Sequence, residues 1–166
     1  MKNFFKLFQK KNEVFAIRYT SEEQKNYFKF VKSQIEKKMK QVIVTSEIML
    51  KIIKKYVREK DAKINLIKFA EEDLELEKEI KFYIIEIQNK KMEYLDKLMS
   101  KLECISNSSS IDIEEIEIIV KDNENNRFIR IKIWVNGIIE IESKVNKENE
   151  LDDILRIIKL QLEWKA

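Results

Sequence analysis

Few residues in this chain are equipped for chemistry. Its 166 residues include no His, one Cys and one Gly. Without His there is no Ser-His-Asp or Cys-His nucleophilic site, no His-ligated metal and no switch near neutral pH. A single thiol, Cys104, can neither close an internal disulfide nor cage zinc. No His or cluster of cations flanks it to lower its pKa, so it reads as an incidental or structural cysteine. One glycine excludes Gly-rich phosphate loops. Carboxylate and lysine chemistry is what remains. Glu114-Glu115 and Asp152-Asp153 are paired acids, but strand-edge and helix-start positions account for them, and nothing sets two across one cleft. No catalytic residue, metal ligand or cofactor site is therefore assigned, and the chain reads as non-enzymatic.

The sharpest constellation is Glu142-Ser143-Lys144, an acid-x-Lys on a strand that precedes a helix. Together with the preceding helix, the α-βββ-α order of roughly residues 71–164 resembles the core of the PD-(D/E)xK nuclease superfamily. That resemblance implies a divalent cation held by carboxylates, one of them on the neighbouring hairpin strand, with the lysine assisting the attacking water. The hairpin register instead sets Arg130 opposite Glu142 and Lys132 opposite Glu140. The nearest upstream acid, Asp122, falls in the turn at the far end. A cross-strand ladder of ion pairs is the preferred reading, and a metal-dependent nuclease a remote alternative.

Three strands carry that ladder. Ile116, Ile118 and Val120 alternate with Glu117, Ile119 and Lys121; then Ile129, Ile131 and Ile133 alternate with Phe128, Arg130, Lys132 and Trp134. Asp122 to Asn126 is a turn cluster. A two-residue loop at Asn136-Gly137 would mix the faces of the second hairpin. A three-residue loop, Val135-Asn136-Gly137, closed by a glycine bulge, pairs Ile133 with Ile139 and Ile131 with Ile141. A last helix, from about Glu150 to Trp164 and capped by Asn149, is expected to cover the apolar face.

Upstream the three-four spacing is helical. Glu13 to Thr20 reads as a short strand. A helix begins at Thr20 and Ser21, with Gln24 completing a capping box, and runs nearly unbroken to Lys60. Within it Val42 to Val44 fits strand or helix. Asp61 to Ala70 is a connection with a short strand at Ile64 to Phe69. A long helix follows from Glu71 to about Glu103, interrupted on its apolar stripe by Lys90 and Lys91. Met1 to Lys11 is too short for a signal-peptide core or a membrane span; it reads as a two-turn amphipathic helix or a frayed end, with a segment lying on an anionic membrane surface as the lesser alternative. The fold class is α+β: a long helical hairpin joined to a three-stranded antiparallel sheet under a terminal helix. The Ser-rich segment Ser106 to Ser110 separates a mainly helical, basic part (1–105) from a βββα unit (111–166), the two forming one compact domain.

Residues 1–63 hold 17 Lys or Arg against 7 Asp or Glu, a net of +10, and the other 103 hold 16 against 23, a net of −7. Folding the basic end at Lys51 to Lys60 back on the acidic start at Glu71 to Glu79 would use part of that asymmetry internally. Lys25, Lys29, Lys32, Lys37, Lys38 and Lys40 are left over as candidate nucleic-acid contacts, although lysines lack the bidentate fork of arginine. The second face of the sheet carries Phe128, Arg130, Lys132, Trp134, Ile138, Glu140 and Glu142, an aromatic surface with mixed charges that suits a protein interface. Cover by the helix ending near Glu103, in an α/β/α sandwich, is the competing expectation. Richness in Ile, Lys and Asn points to an A/T-rich bacterium or a phage or mobile element living in one. The expected function is thus a cytoplasmic protein-binding module, such as an adaptor, inhibitor or immunity-type protein. Nucleic-acid binding is the alternative, a homodimer is compatible with either, and no membrane partner is expected.

Overall fold

Alternation of residues along the N-terminal segment decides the architecture. The computed structural model describes residues 2–108, 111–122, 126–143 and 148–165, with side chains over 150–162 in the last helix. Strand β1 (Lys2–Lys10) pairs antiparallel with β2 (Glu13–Tyr19) on one edge and β7 (Ile138–Glu142) on the other. Beyond Lys6, the β7 edge is taken over by the two-residue β3 (Lys40–Gln41). Strands β5 (Ile113–Asp122) and β6 (Arg127–Trp134) continue the sheet from β7, and β4 (Lys63–Phe69) closes it. The order is β2-β1-β7-β6-β5-β4, all antiparallel, with β3 beside β1.

This corrects the expected fold: the described residues form one seven-stranded sheet with six helices, in place of a helical hairpin on three strands. Met1 lies outside the described residues, and Lys2–Lys10 of the expected N-terminal helix is strand, with Lys11 in the turn that follows. Phe5 and Leu7 pack into the main core while Phe4 and Phe8 pack on the opposite face. A strand used on both faces loses the clean apolar-polar alternation that identifies strands, so a helical period could be read into it. Strands before and after the Ser-rich segment also pair, β4 with β5.

The supposed long helix from Ser21 to Lys60 is three helices. Thr20 caps α1 (Ser21–Lys25): its hydroxyl accepts from the Glu23 amide at 3.2 Å, and Glu23 accepts from the Thr20 amide at 3.1 Å. The capping box is thus Thr20 with Glu23, one residue before the Ser21-Gln24 pairing. Helix α2 (Tyr27–Glu36) ends near Lys38, which adopts a φ of 65°. Val42 to Val44 is neither strand nor helix. It is extended chain, tied by the Val42 amide to Leu7 and by the Val44 amide to Val135. Helix α3 (Ser46–Lys60) then starts under a Thr45 cap.

The expected helix from Glu71 is likewise a hairpin of α4 (Leu74–Gln88) and α5 (Glu93–Asn107), breaking where Lys90 takes a φ of 65°. The two lysines that interrupt the apolar stripe mark this turn. Helix α6 is Glu148–Lys165, and the side chain of Asn149, the expected cap, lies outside the described residues.

One face of the sheet presents Leu7, Ile116, Ile118, Ile131, Ile133, Ile139 and Ile141 to the helices. Ile48, Met49, Ile52 and Ile53 of α3 are completely buried in the same core. Helix α3 packs on β5, while α6 packs between α3 and β2; the terminal helix is therefore not the main cover of the C-terminal strands. The α4-α5 hairpin joins the same core from the β4 side. The basic end of α3 pairs with other acids than those expected: Arg58 with Asp96 at 2.7 Å, and Lys60 with Glu150 at 2.9 Å and with Asp153.

Both hairpin strands keep the expected register, Ile133 to Ile139, Ile131 to Ile141, Lys132 to Glu140 and Arg130 to Glu142. Gly137 closes the three-residue loop with a φ of 83°, and its amide donates to the Trp134 carbonyl at 3.0 Å. A Cβ there would stand 2.4 Å from the Val42 carbonyl oxygen. Gly137→Ala is expected to cost about 2 kcal/mol or more, combining left-handed strain with displacement of the Val42 strap. A urea midpoint unchanged from wild type would refute this.

Candidate functional site

The helix-free part of the sheet's other face is built from alternate positions of β5, β6 and β7. Opposite pairing sets Glu117 beside Lys132, Lys132 beside Glu140, and Glu140 beside Phe4. Lys132 Nζ lies 4.0 Å from Glu117 and 3.8 Å from Glu140. Arg130 Nε reaches Glu117 at 3.3 Å, and Lys2 Nζ reaches Glu140 at 3.6 Å. The Asn65 amide group donates to the other Glu117 oxygen. The result is a continuous polar row crossing five strands, from Asn65 on β4 to Lys2 on β1.

The two carboxylates are almost wholly buried, their side chains 7% and 6% exposed, whereas Arg130 and Lys2 are about half exposed. Long cationic stems lie over short acids while their charged ends stay wet. Each acid has two cations, with Lys132 shared between them, so only loss of Lys132 together with Arg130 or Lys2 would leave a desolvated carboxylate without a cation, at more cost than the intact pair contributes. Glu115, on the same face beside Trp134, has its carboxyl raised above the usual range by burial, against the pull of Lys132 and Lys68.

Of the interface residues proposed from sequence, Arg130, Lys132 and Glu140 share this row, and Glu142 is half-buried opposite Arg130. Trp134 is half-buried and Phe128 is 61% exposed. Ile138 belongs elsewhere: it packs with Phe8, Tyr19, Phe30 and Val31, where α2 covers the β1-β2 end. The competing α/β/α sandwich does not form, because α4 and α5 lie on the opposite face. Sequence reasoning missed Glu117, Asn65, Lys2 and Lys6. Extending the register test through the Asp122 to Asn126 turn would have found Glu117; the two lysines required β1 to be read as a strand.

Lys6 is the most unusual of these. It is 1% exposed between Ile17 and Ile138 on the neighbouring strands, and its ammonium donates to the Asn136 carbonyl. Burial lowers its pKa to about 8. Tyr19, on the same face, is pushed up to about 12, chiefly by burial.

The six candidate nucleic-acid lysines fall on the lobe running from α1 to β3. All are exposed, and none is in an ion pair among the described residues. Phe28, 87% exposed, and Ile35, 49% exposed, lie on α2 among them. Lys144 of the nuclease-like motif lies outside the described residues. Among those described, no group of three or more Cys, Asp or Glu could hold a metal ion, and no helix is long and apolar enough to cross a membrane.

Comparison of the chain with protein-family models, curated proteins and solved structures finds no match.

The buried Lys6 has a definite pH signature. Its folded pKa near 8 lies below the unfolded value of 10.5, so between those values the unfolded chain holds the extra proton. Stability should therefore rise from about pH 8 toward pH 10, where Tyr19 begins to act oppositely. Lys6→Met should remove that rising limb, because the group whose proton uptake differs between the two states is gone. Urea midpoints from pH 7 to 10 that run parallel for both proteins would exclude this account.

Proposed function

We propose that the protein is a non-catalytic protein-binding module that uses the outward face of β5, β6 and β7. The observation that carries this reading is the combination of an aromatic surface with a rigid charge row on a sheet face that no described helix covers. Large apolar groups flanked by fixed charges of both signs give a partner anchors and a register at once. Phe128 and Trp134 are the anchors, and Arg130, Lys132 and Glu142 the surrounding charges. An adaptor, an inhibitor or an immunity-type protein would each fit, working in the cytoplasm.

A second reading is favoured by one observation, the six exposed lysines of the α1 to β3 lobe with no ion pair among the described residues. They suit a polyanion such as a nucleic acid, held by phosphate contacts alone. The sheet face is preferred because its cations are already held in place by Glu117 and Glu140 beside aromatic anchors.

Trp134→Ala separates these readings. It should weaken partner binding by about 2 kcal/mol or more, as central aromatic anchors do. Because Trp134 is only half-buried, the same change should cost clearly less than the roughly 3–5 kcal/mol of a fully buried aromatic. Quantitative capture of cross-linked partners with wild-type and variant bait, beside melting curves, checks both; undiminished capture would dismiss the sheet-face reading. For the second reading, reversing Lys29, Lys32 and Lys37 should weaken binding to any nucleic acid sequence equally and reduce its salt dependence. Absence of a gel shift with single- or double-stranded DNA or RNA at low salt would remove it.

A further inference from the structure

We propose that the free edge of β4, with the groove beside it, receives an extended, acid-flanked peptide of a partner protein as an added strand. The proposal rests on the protein-binding reading and names the chemistry of the partner. Strand β4 pairs with β5 on one side, and among the described residues its other edge carries no strand. Between that edge and α4 runs a groove of about 230 Å³. Ile80 and Ile84, nearly buried, form its floor, Leu66 its lip, and Lys68, Lys81 and Glu77 its polar border. An edge supplying backbone hydrogen bonds beside an apolar slot for alternate side chains is the geometry of strand addition. The open stretch is short. Register shifts at Ile64/Leu66 and Lys68/Phe69 bound it, and the Gln88 side chain already donates to the Ile64 carbonyl at 2.9 Å.

Charge selects the occupant. A second copy is disfavoured, since antiparallel pairing of two β4 edges turns Lys63 of one toward Lys68 of the other. Edge lysines are a usual defence against such self-pairing. An acid-flanked strand turns the same lysines into attraction. Lys68 is only loosely engaged, 3.6 Å from Glu114 with both side chains about half exposed, and Lys81 has no ion pair among the described residues. Such an exposed pair contributes little and is readily exchanged.

The test uses the full chain, isotope-labelled for amide NMR, and two synthetic peptides. Both have an alternating Val-Thr centre, one flanked by Glu and the other by Lys. The acid-flanked peptide should perturb the amides of Leu66 to Lys68 and of Lys81 to Ile84, and bind at least about tenfold more tightly at low salt. Lys68→Gln combined with Lys81→Gln, both at exposed positions, should abolish the preference, with a melting curve confirming that the fold is kept. Trp134→Ala should leave peptide binding intact, so failure of the sheet-face reading and failure of this one are distinguishable. No binding at millimolar peptide, equal binding of both peptides, perturbations confined to other strands, or self-association of the free protein through β4 would each overturn the proposal.

Discussion

Everything in this fold hangs on the seating of β1 between β2 and β7. That strand must satisfy backbone hydrogen bonds along both edges and bury side chains on both faces, and its two edges are served by very different parts of the chain. The β2 edge is supplied by a local hairpin. The β7 edge joins Lys6 to Ile138, from the far end of the sequence. Without this second pairing the N-terminal hairpin and the C-terminal strands would be separate sheets, each with an unprotected edge. The Val42 strap reinforces the seam, bonding Leu7, while Leu7 also donates to the carbonyl of Gly137. Glycine at that position is thus required twice, by its φ and by the approach of Val42.

The seam also explains the polar row. Lys2 reaches Glu140 only because β1 lies beside β7, and Lys6 is enclosed because α2 and its aromatic cluster end against the same strand. Register is protected by cost. A slip of one residue in β5 or β7 would turn Glu117 or Glu140 into the helix-covered core and an isoleucine outward, leaving a carboxylate with no cation in reach. The row contributes less through net stabilisation than by making wrong registers expensive.

Which parts were legible in the sequence follows from how local their causes are. The three-residue loop at Gly137 and the register around it could be derived because only one pairing sorts Ile131, Ile133, Ile139 and Ile141 onto one face. The break between α4 and α5 was signalled by Lys90 and Lys91 in an otherwise apolar stripe. It was smoothed over because no Gly or Pro marks it; Lys90 adopts the left-handed conformation unaided. The same happened at Lys38. Strand β1 was illegible for a different reason. Its partners lie far away, and its two apolar faces cancel the alternation that betrays a strand. Glu117 and Lys6 went unseen because each is defined by neighbours across strands, and not by its own segment.

The distribution of cations separates the surfaces that are available from those already used. At the C-terminal end of α3, Lys60 bridges Glu150 and Asp153, and the Tyr56 hydroxyl donates to Glu150 at 2.9 Å. Those charges hold α3 to α6 and offer nothing to a partner. On the sheet face, Arg130 and Lys132 are half-committed, fixed by Glu117 and Glu140 yet still reaching solvent. Cations fixed in this way have lost little freedom on meeting an acidic group, which favours recognition of a shaped partner. The lysines from Lys25 to Lys40 are exposed and make no ion pair among the described residues, and would lose the most side-chain entropy on binding. A partner with defined shape gains more from the first set than from the second. That difference in preorganisation, more than the total charge of either half, is why the sheet face is the stronger candidate.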